Sequence, residues 1–337
     1  MTVSIFEVAK KAGVSIGTVS KVLNKTEGAR VGSETRARIL QIAEESGYQP
    51  NRLARSMVRQ SLETIGLMVS GLQNPFFVMI LEAIEKELLA NGHQVMFDAA
   101  PSELGTFLEH GKLRGWPVDG VIMWAFPIQT TTQYLGPVAA TLPTVYMGYP
   151  REDDSAWVAF DLYGGGRQAA EHLLSAGHRR ITFVTPHVDD NSVASDARYL
   201  ACQDVCKEWG ALADLHVIPG WRATRTAAVE AGEKIAALPA SQRPKALICH
   251  NDITALGIYH GLRRAGLAVP KDMAIVGFDG LEEGRCQDIP LTTVDSPIDI
   301  LAQKVVEILV ARMNKNYDLS TQQVLIPTRL WVGGTSP

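Results

Sequence analysis

The spacing of apolar positions changes character near residue 64. Before it, apolar residues recur at steps of three and four, as on one face of a helix; beyond it, short unbroken apolar runs alternate with helical stretches. In "SIFEVAKKAG" the positions Ile5, Val8 and Ala9 predict a short helix, closed at Gly13, a residue that takes the left-handed conformation without penalty. A second helix follows in "VSIGTVSKVLN", with Ser15 as its N-cap. Val19, Val22 and Leu23 face inward there, and Ile16, Gly17, Ser20, Lys21 and Asn24 face outward. After the polar loop "NKTEGARVG", the segment "SETRARILQIAEESG" predicts a third helix, with Ser33 as its cap and Ile39, Ile42 and Ala43 turned inward. Two short helices joined by a tight glycine turn, with a third behind them, make either an ordinary helical hairpin or a helix-turn-helix whose second helix can lie in a DNA major groove. Gly17 and Ser20 leave its outward face with little bulk, so its backbone can press close to a neighbouring surface.

From residue 64 onward, strand-like runs ("TIGLMVSG", "HQVMFDAA", "DGVIMWA", "TVYMGY") alternate with helical patterns, including "PFFVMILEAIEKELLANG" and stretches near 102–114 and 129–140. A second series opens at "AWVAFD" and continues through "GGGRQAAEHLLSAG", "RITFVTP", "ALICHND" and "AIVGFDG". Such alternation predicts βαβ units and parallel sheets, and two successive series predict two lobes. Ligands bind such sheets beyond the carboxyl ends of the strands. Between head and body, "GYQPNRLARSMVRQ" begins with a proline-enforced break and offers a basic segment too short to be a stable helix alone.

Charge sharpens this division. Residues 1–63 carry ten Lys/Arg against six Asp/Glu, a balance of +4, and leave 22 against 30, or −8, for the rest of the 337-residue chain. A basic head on an acidic body fits a nucleic-acid-binding head, and a difference this small also fits ordinary surface scatter. The longest apolar runs fall well short of a membrane span, and "MTVSIFEVAKK" lacks the plan of a signal peptide, so the expected location is the cytoplasm. Cys202, Cys206, Cys249 and Cys286 form no CxxC or Cys/His cluster and read as reduced, structural thiols. The run "GGGRQAAEH" has neither GxGxxG spacing nor a GKS/GKT ending and reads as a helix entry rather than a phosphate loop. No metal, cofactor or catalytic set is expected from these motifs.

The segments "IFEVAKKAGVSIGTVSKVLN" and "ETRARILQIAEESGYQPNRLARSM" resemble the DNA-binding head and hinge of the lac-repressor/galactose-repressor family of bacterial transcription regulators. Later stretches, among them "IGLMVSGLQNPFF", "NDITALGIYHGLRRAGLAVPKDMAIVGFDG" and "PLTTVDSPIDILAQKVVEILVARM", extend the likeness along the chain. The resemblance implies a helix-turn-helix domain at 1–49, a hinge helix at 50–61, and a two-lobed α/β core at 62–337 similar to a periplasmic sugar-binding protein. The first lobe is then expected at 62–160 and 293–323, the second at 161–292 and 324–337, with three crossovers. By family position, Ile16, Gly17 and Lys21 face bases, Lys21 alternatively a phosphate, while Ser15, Thr18, Ser20, Asn24 and Thr35 hold phosphates. In the hinge, Asn51, Arg52, Ala54 and Arg55 flank Met57, which stands where the family inserts an apolar wedge into the minor groove.

Carried over in the same way, the effector cleft is expected to contain Phe76 or Phe77, Asp161, Arg198, Trp221, Asn251 and Asp279, with Trp124 as a further candidate. Asp279 and Arg198 suit vicinal hydroxyls, and Trp221 suits an apolar sugar face; alternatively, Asp279 ties down its own turn and Trp221 is core. Two departures stand out: Gly148 occupies a position where a carboxylate is common, and the closing "WVGGTS" lacks an arginine often found there. The implied protein is a dimeric repressor of carbohydrate uptake or catabolism genes, bound to a pseudo-palindromic operator and responsive to a sugar. The alternatives are a periplasmic-type solute-binding protein and an α/β enzyme fused to a DNA-binding module.

Overall fold

A computed structural model of the chain describes residues 3–23, 30–48, 61–69, 72–99, 117–124, 142–150, 154–185, 196–217, 224–316 and 322–336. Two compact units emerge, Met1–Glu63 and Thr64–Pro337. In the first, helices α1 (Ile5–Ala12), α2 (Ile16–Leu23) and α3 (Ser33–Glu45) close on a core of Val8, Ala9, Ala12, Val19, Val22, Ile39 and Ala43. The ends of these helices are set by local chemistry. Ser4 and Glu7 form a capping box at the start of α1, and Gly13 (φ 63°) ends it in the left-handed conformation. Ser15 Oγ accepts the Thr18 amide at 3.1 Å and caps α2. The expectation for α3 is corrected: Ser33 is its first helical residue, and Gly32 occupies the cap position without a side-chain bond.

The second unit holds two six-stranded sheets. The first contains β1 (Thr64–Val69), β2 (Gln94–Ala99), β3 (Gly120–Trp124), β4 (Thr144–Gly148) and β5 (Trp157–Phe160), with helix α4 (Pro75–Ala90) after β1. Helix α5 (Leu162–Ser175) leads to the second sheet, which contains β6 (Arg180–Thr185), β7 (Leu212–Val217), β8 (Ala246–Cys249), β9 (Ala274–Asp279) and β10 (Thr292–Asp295). Helices α6 (Ala197–Glu208), α7 (Arg225–Ala237), α8 (Asp252–Arg264) and α9 (Glu282–Arg285) lie between these strands in sequence. The chain then returns through α10 (Ile298–Met313) and β11 (Gln323–Ile326) to the first sheet and ends in β12 (Arg329–Trp331) in the second. The strand orders are β11-β5-β4-β3-β1-β2 and β12-β10-β9-β8-β6-β7. All recorded pairings are parallel except β10 with β12.

Three expected boundaries move. The "AWVAFD" strand, read from periodicity as opening the second series, is β5 and lies in the first sheet between β4 and β11, inside the 62–160 expected for the first lobe. Residues 292–295 form β10 in the second sheet, although the first lobe was expected to resume at 293. Residues 323–326 form β11 in the first sheet, so the second lobe resumes after them rather than at 324. The physical reason is common to all three. A short parallel strand covered on both faces shows an unbroken apolar run whichever sheet it joins, and periodicity carries no sheet identity. The segments near 102–114 and 129–140, expected to be helical, lie outside the described residues.

In both sheets the strand order reverses beside the first strand of the series, between β2 and β3 at β1 and between β7 and β8 at β6. Crevices open at the carboxyl ends of strands at such switch points. The glycine run Gly164–Gly166 lies in the first turns of α5, where its packing role is plain: a Cβ on Gly166 would stand 2.9 Å from the Arg198 carbonyl on α6. No helix among the described residues is long and apolar enough to cross a membrane. The four cysteines are free thiols, three of them buried and Cys286 exposed.

Candidate ligand cleft and nucleic-acid interface

In the head, burial of Val19 and Val22 fixes which side of α2 looks outward. Ser15, Gly17 and Lys21 are exposed, Ile16 is 37% exposed, and Thr18, Ser20 and, on α3, Thr35 are half-buried. The hydroxyls of Ser15 and Thr18 lie 2.9 Å apart at the N-terminus of α2. Hydroxyls at a helix N-terminus suit phosphate oxygens, an exposed isoleucine suits a thymine methyl, and a lysine suits guanine O6 or N7. Asn24 and the hinge residues Asn51, Arg52, Ala54, Arg55 and Met57 lie outside the described residues.

In the larger unit, the residues after the strands of one sheet meet those of the other. Asn74 caps α4, its Oδ1 accepting the Phe76 amide at 3.0 Å, and Pro75 follows at the first helical position. Its Nδ2 donates to Asp279 Oδ2, at the end of β9, over 3.2 Å. Behind Asn74 stands an aromatic group. Phe77 and Trp124 are T-shaped with centroids 5.0 Å apart, Phe76 and Trp124 likewise at 6.2 Å, and Trp124 and Tyr149 at 5.9 Å. Gly148 explains how the indole fits: its φ is 101°, and a Cβ there would lie 2.6 Å from the Trp124 ring. A side chain at 148 would therefore crowd the Trp124 indole where it now lies.

The facing wall is polar. Arg198, 5% exposed, donates from Nε to Asp196 Oδ1 at 2.9 Å and from Nη2 to Asp196 Oδ2 at 2.8 Å. Its Nη1 donates to the His250 carbonyl at 2.7 Å, its Nη2 lies 3.3 Å from His250 Nε2, and it also bonds the Tyr149 side chain. Since Nε2 faces a donor and Nδ1 lies 3.1 Å from Asp196 Oδ2, the tautomer protonated on Nδ1 satisfies both contacts. Burial alone would raise the Asp196 carboxyl, but Arg198 and His250 outweigh it and hold it well below the usual carboxylate range. Tyr149 is 39% exposed as a residue, yet its hydroxyl end is buried beside Arg198, and that burial raises its pKa.

Asp279 differs from Asp196 in kind. It is 8% exposed and has φ 118°, a region that costs a non-glycine residue of order 1–3 kcal/mol. Hydrogen bonds to Asp252 hold the turn in place: the Leu281 amide donates to Asp252 Oδ2 at 2.8 Å, and Thr293 Oγ1 donates to Asp252 Oδ1 at 2.6 Å. Burial pushes the Asp279 carboxyl up to about 7, against Asn74, Arg198 and the Asp252 amide, which favour its charge. Burial, and next the Asp279 charge, push Asp252 well above the carboxylate range.

Of the other expected cleft residues, Asp161 and Asn251 both stand just past strand ends and both cap helices. Asp161 Oδ1 accepts the Gly164 amide at 2.7 Å, and Asn251 Oδ1 accepts the Thr254 amide at 2.9 Å. Trp221 lies outside the described residues. Asn74, Tyr149, Asp196 and His250 were not foreseen. An Asn-Pro pair ahead of an apolar helical run signals a helix start and could have drawn attention to Asn74; Tyr149, Asp196 and His250 gain meaning only through Arg198. Among the described residues, no group of three or more His, Cys, Asp and Glu side chains could hold a metal ion.

Residues 4–51 match the family described as bacterial regulatory proteins, lacI family, and residues 170–336 match the periplasmic binding protein-like domain. The HTH-type transcriptional repressor PurR of Pectobacterium carotovorum is 30% identical over 315 residues, covering 92% of this chain and 90% of that protein. The chain belongs to the LacI family of bacterial regulatory proteins. The family match extends to architecture. The lac repressor dimer bound to operator and the anti-inducer ONPF superposes with a TM-score of 0.83 at 24% identity, over 99% of both chains. The complex of the transcriptional regulator CelR with cellobiose gives 0.67 at 26% identity, over 99% of this chain and 100% of that one. This LacI-family chain is therefore a transcriptional repressor with a ligand-binding core, and not an enzyme.

Proposed function

We propose that this LacI-family protein works in the cytoplasm as a dimer on a pseudo-palindromic operator, repressing carbohydrate uptake or catabolism genes under the control of a sugar held between its lobes. The observation that carries the reading is the pair Asn74 and Asp279, 205 residues apart and in hydrogen-bond contact across the lobes. A ligand hydroxyl that competes with Asn74 for Asp279 Oδ2 changes how the lobes meet. Linkage then makes operator and effector affinities reciprocal. Phe76, Phe77, Trp124, Asp161, Arg198, Trp221 and Asn251 complete the proposed effector site, and the division into head, hinge at 50–61 and core completes the proposed domain plan.

At the operator, Ser15, Ile16, Gly17, Thr18, Ser20, Lys21, Asn24 and Thr35 form the proposed major-groove face, with Asn51, Arg52, Ala54, Arg55 and Met57 in the minor groove. Lys21→Ala is expected to weaken operator binding by about 1–3 kcal/mol and to relax one base position in each half-site. A binding-site selection with both proteins measures this. Uniform weakening over all sequences would make Lys21 a phosphate contact instead.

A second reading has its own support. The PurR relatives and the aromatic wall of Phe77 and Tyr149 favour a purine base as the effector. Calorimetry of the full-length protein with neutral mono- and disaccharides, and with adenine and guanine, separates the two. Binding of a sugar in the micromolar range supports the carbohydrate reading; binding of a purine alone overturns it.

A further inference from the structure

Gly148 has a consequence for what the cleft selects. Its left-handed backbone and missing Cβ admit the Trp124 indole to within what would be 2.6–2.9 Å of a side chain, so a carboxylate at 148 and an indole at 124 exclude one another. Trp124 is itself 7% exposed and serves as a foundation. Phe77 and Tyr149 stand edge-to-face against it at 5.0 and 5.9 Å, and both keep accessible surface, half-buried in one case and 39% exposed in the other. On the other lobe the chemistry is acidic or already neutralised. Asp279 offers an acceptor, and Arg198 is matched by Asp196 in two hydrogen bonds.

We infer that Trp124, seated on Gly148, is a positioning residue that makes the first-lobe wall an aromatic surface of Phe77 and Tyr149, so that the cleft selects uncharged ligands with one flat apolar face and a hydrogen-bond-donating edge toward Asp279. The inference rests on the proposed effector site. Flat apolar faces gain from aromatic contact, whereas an anionic group meets carboxylates and a guanidinium whose charge is spent. Loss of the indole removes the edge-to-face support shared by the two rings, leaving Phe77 its edge contact with Phe76 at 5.7 Å and Tyr149 its bond to Arg198, and the flat wall between them is lost.

The test is a competition panel on the full-length protein, read by calorimetry: matched methyl and phenyl β-glycosides, glucose, glucose 6-phosphate, and adenine. Wild type is expected to bind the phenyl glycosides at least tenfold more tightly than the methyl ones, and glucose 6-phosphate more weakly than glucose. Trp124→Leu is expected to bring the phenyl-to-methyl ratio to within twofold of unity, and Trp124→Phe to restore most of it. Melting curves of each variant establish that it is folded. An unchanged ratio in a folded Trp124→Leu protein overturns the inference, as does preference for the phosphorylated sugar. Failure of the uncharged members to bind, with glucose 6-phosphate shifting operator affinity, overturns it and leaves the effector-site reading intact. Insensitivity to the whole panel overturns both.

Discussion

Arg198→Leu is expected to destabilise the ligand-binding unit by about 3–5 kcal/mol, the scale of breaking a buried ion pair from one side. Arg198 and Asp196 have side chains 6% and 3% exposed, so removing the guanidinium takes both of its hydrogen bonds from a buried carboxylate, which keeps the amide of residue 198 and His250 among its partners but loses its paired charge. The double variant Asp196→Asn, Arg198→Leu is expected to lose less than the two single variants added together, because no unpaired charge remains. Denaturant unfolding of the full-length proteins measures all four corners of the cycle. Additive losses would mean that the pair contributes no coupling and that Arg198 acts through packing on Phe278, whose ring centre lies 5.7 Å from its guanidinium carbon. The depressed Asp196 carboxyl adds a pH dependence. Its stabilisation is present above the unfolded value near 4 and is lost as pH falls through the lower folded value.

Asp279→Asn is expected to act with the opposite sign. Below about pH 4 the carboxyl is protonated in folded and unfolded chains alike, and the substitution changes little. As pH rises from about 4 toward 7, the unfolded chain releases a proton that the folded protein retains, because burial pushes the Asp279 carboxyl up to about 7. Stability from this group is lost over that window, and above it the folded state carries a buried charge at a cost of order 4 kcal/mol. Asparagine removes that cost, keeps an acceptor for Asn74 and tolerates positive φ better than most residues. The variant is expected to melt about 5 °C higher than wild type at pH 8 and at the same temperature at pH 3.5. A lower melting temperature at pH 8 would mean that the charged carboxylate stabilises the fold. A cleft that keeps a strained, desolvated carboxylate at a cost in stability matches the general pattern of strain stored at working sites.

What was legible in the sequence divides by the range of the interactions involved. Gly13 and Ser15 do what their local chemistry dictates, since a left-handed turn and an amide-accepting hydroxyl each need only neighbouring residues. Ser33 fell one position inside its helix, with Gly32 at the cap and no side-chain bond there. The runs of β1, β3, β4, β8 and β9 were readable as strands because burial on both faces leaves them continuously apolar. Their assignment to sheets was not: periodicity opened a second series at β5, although the expected first lobe of 62–160 contains it, and the expected lobe bounds misplaced β10 and β11.

The cleft shows the same limit more sharply. Asp279 and Arg198 could be carried over by family position, but Asn74 lies 205 residues from Asp279, and His250 lies 54 from Asp196, with no local pattern joining them. Gly148 looked like a lost carboxylate because its partner, Trp124, sits on the neighbouring strand, where the register puts Met147 opposite it.

Coupling between the cleft and the operator is open to direct measurement by titration. Full-length protein is titrated by fluorescence anisotropy against a duplex recovered by selection from genomic DNA, with and without neutral sugars, at physiological salt, for wild type and Asp279→Ala. The expected result is a selected site with half-sites about one helical turn apart, and a sugar that shifts wild-type operator affinity by about 5–150-fold. Asp279→Ala is expected to lose that shift, either keeping its sugar-free affinity if the sugar releases the operator or losing tight binding if the sugar promotes it. Equal affinity for random duplexes, or a shift fully retained in Asp279→Ala, would contradict a sugar-controlled repressor built on this cleft.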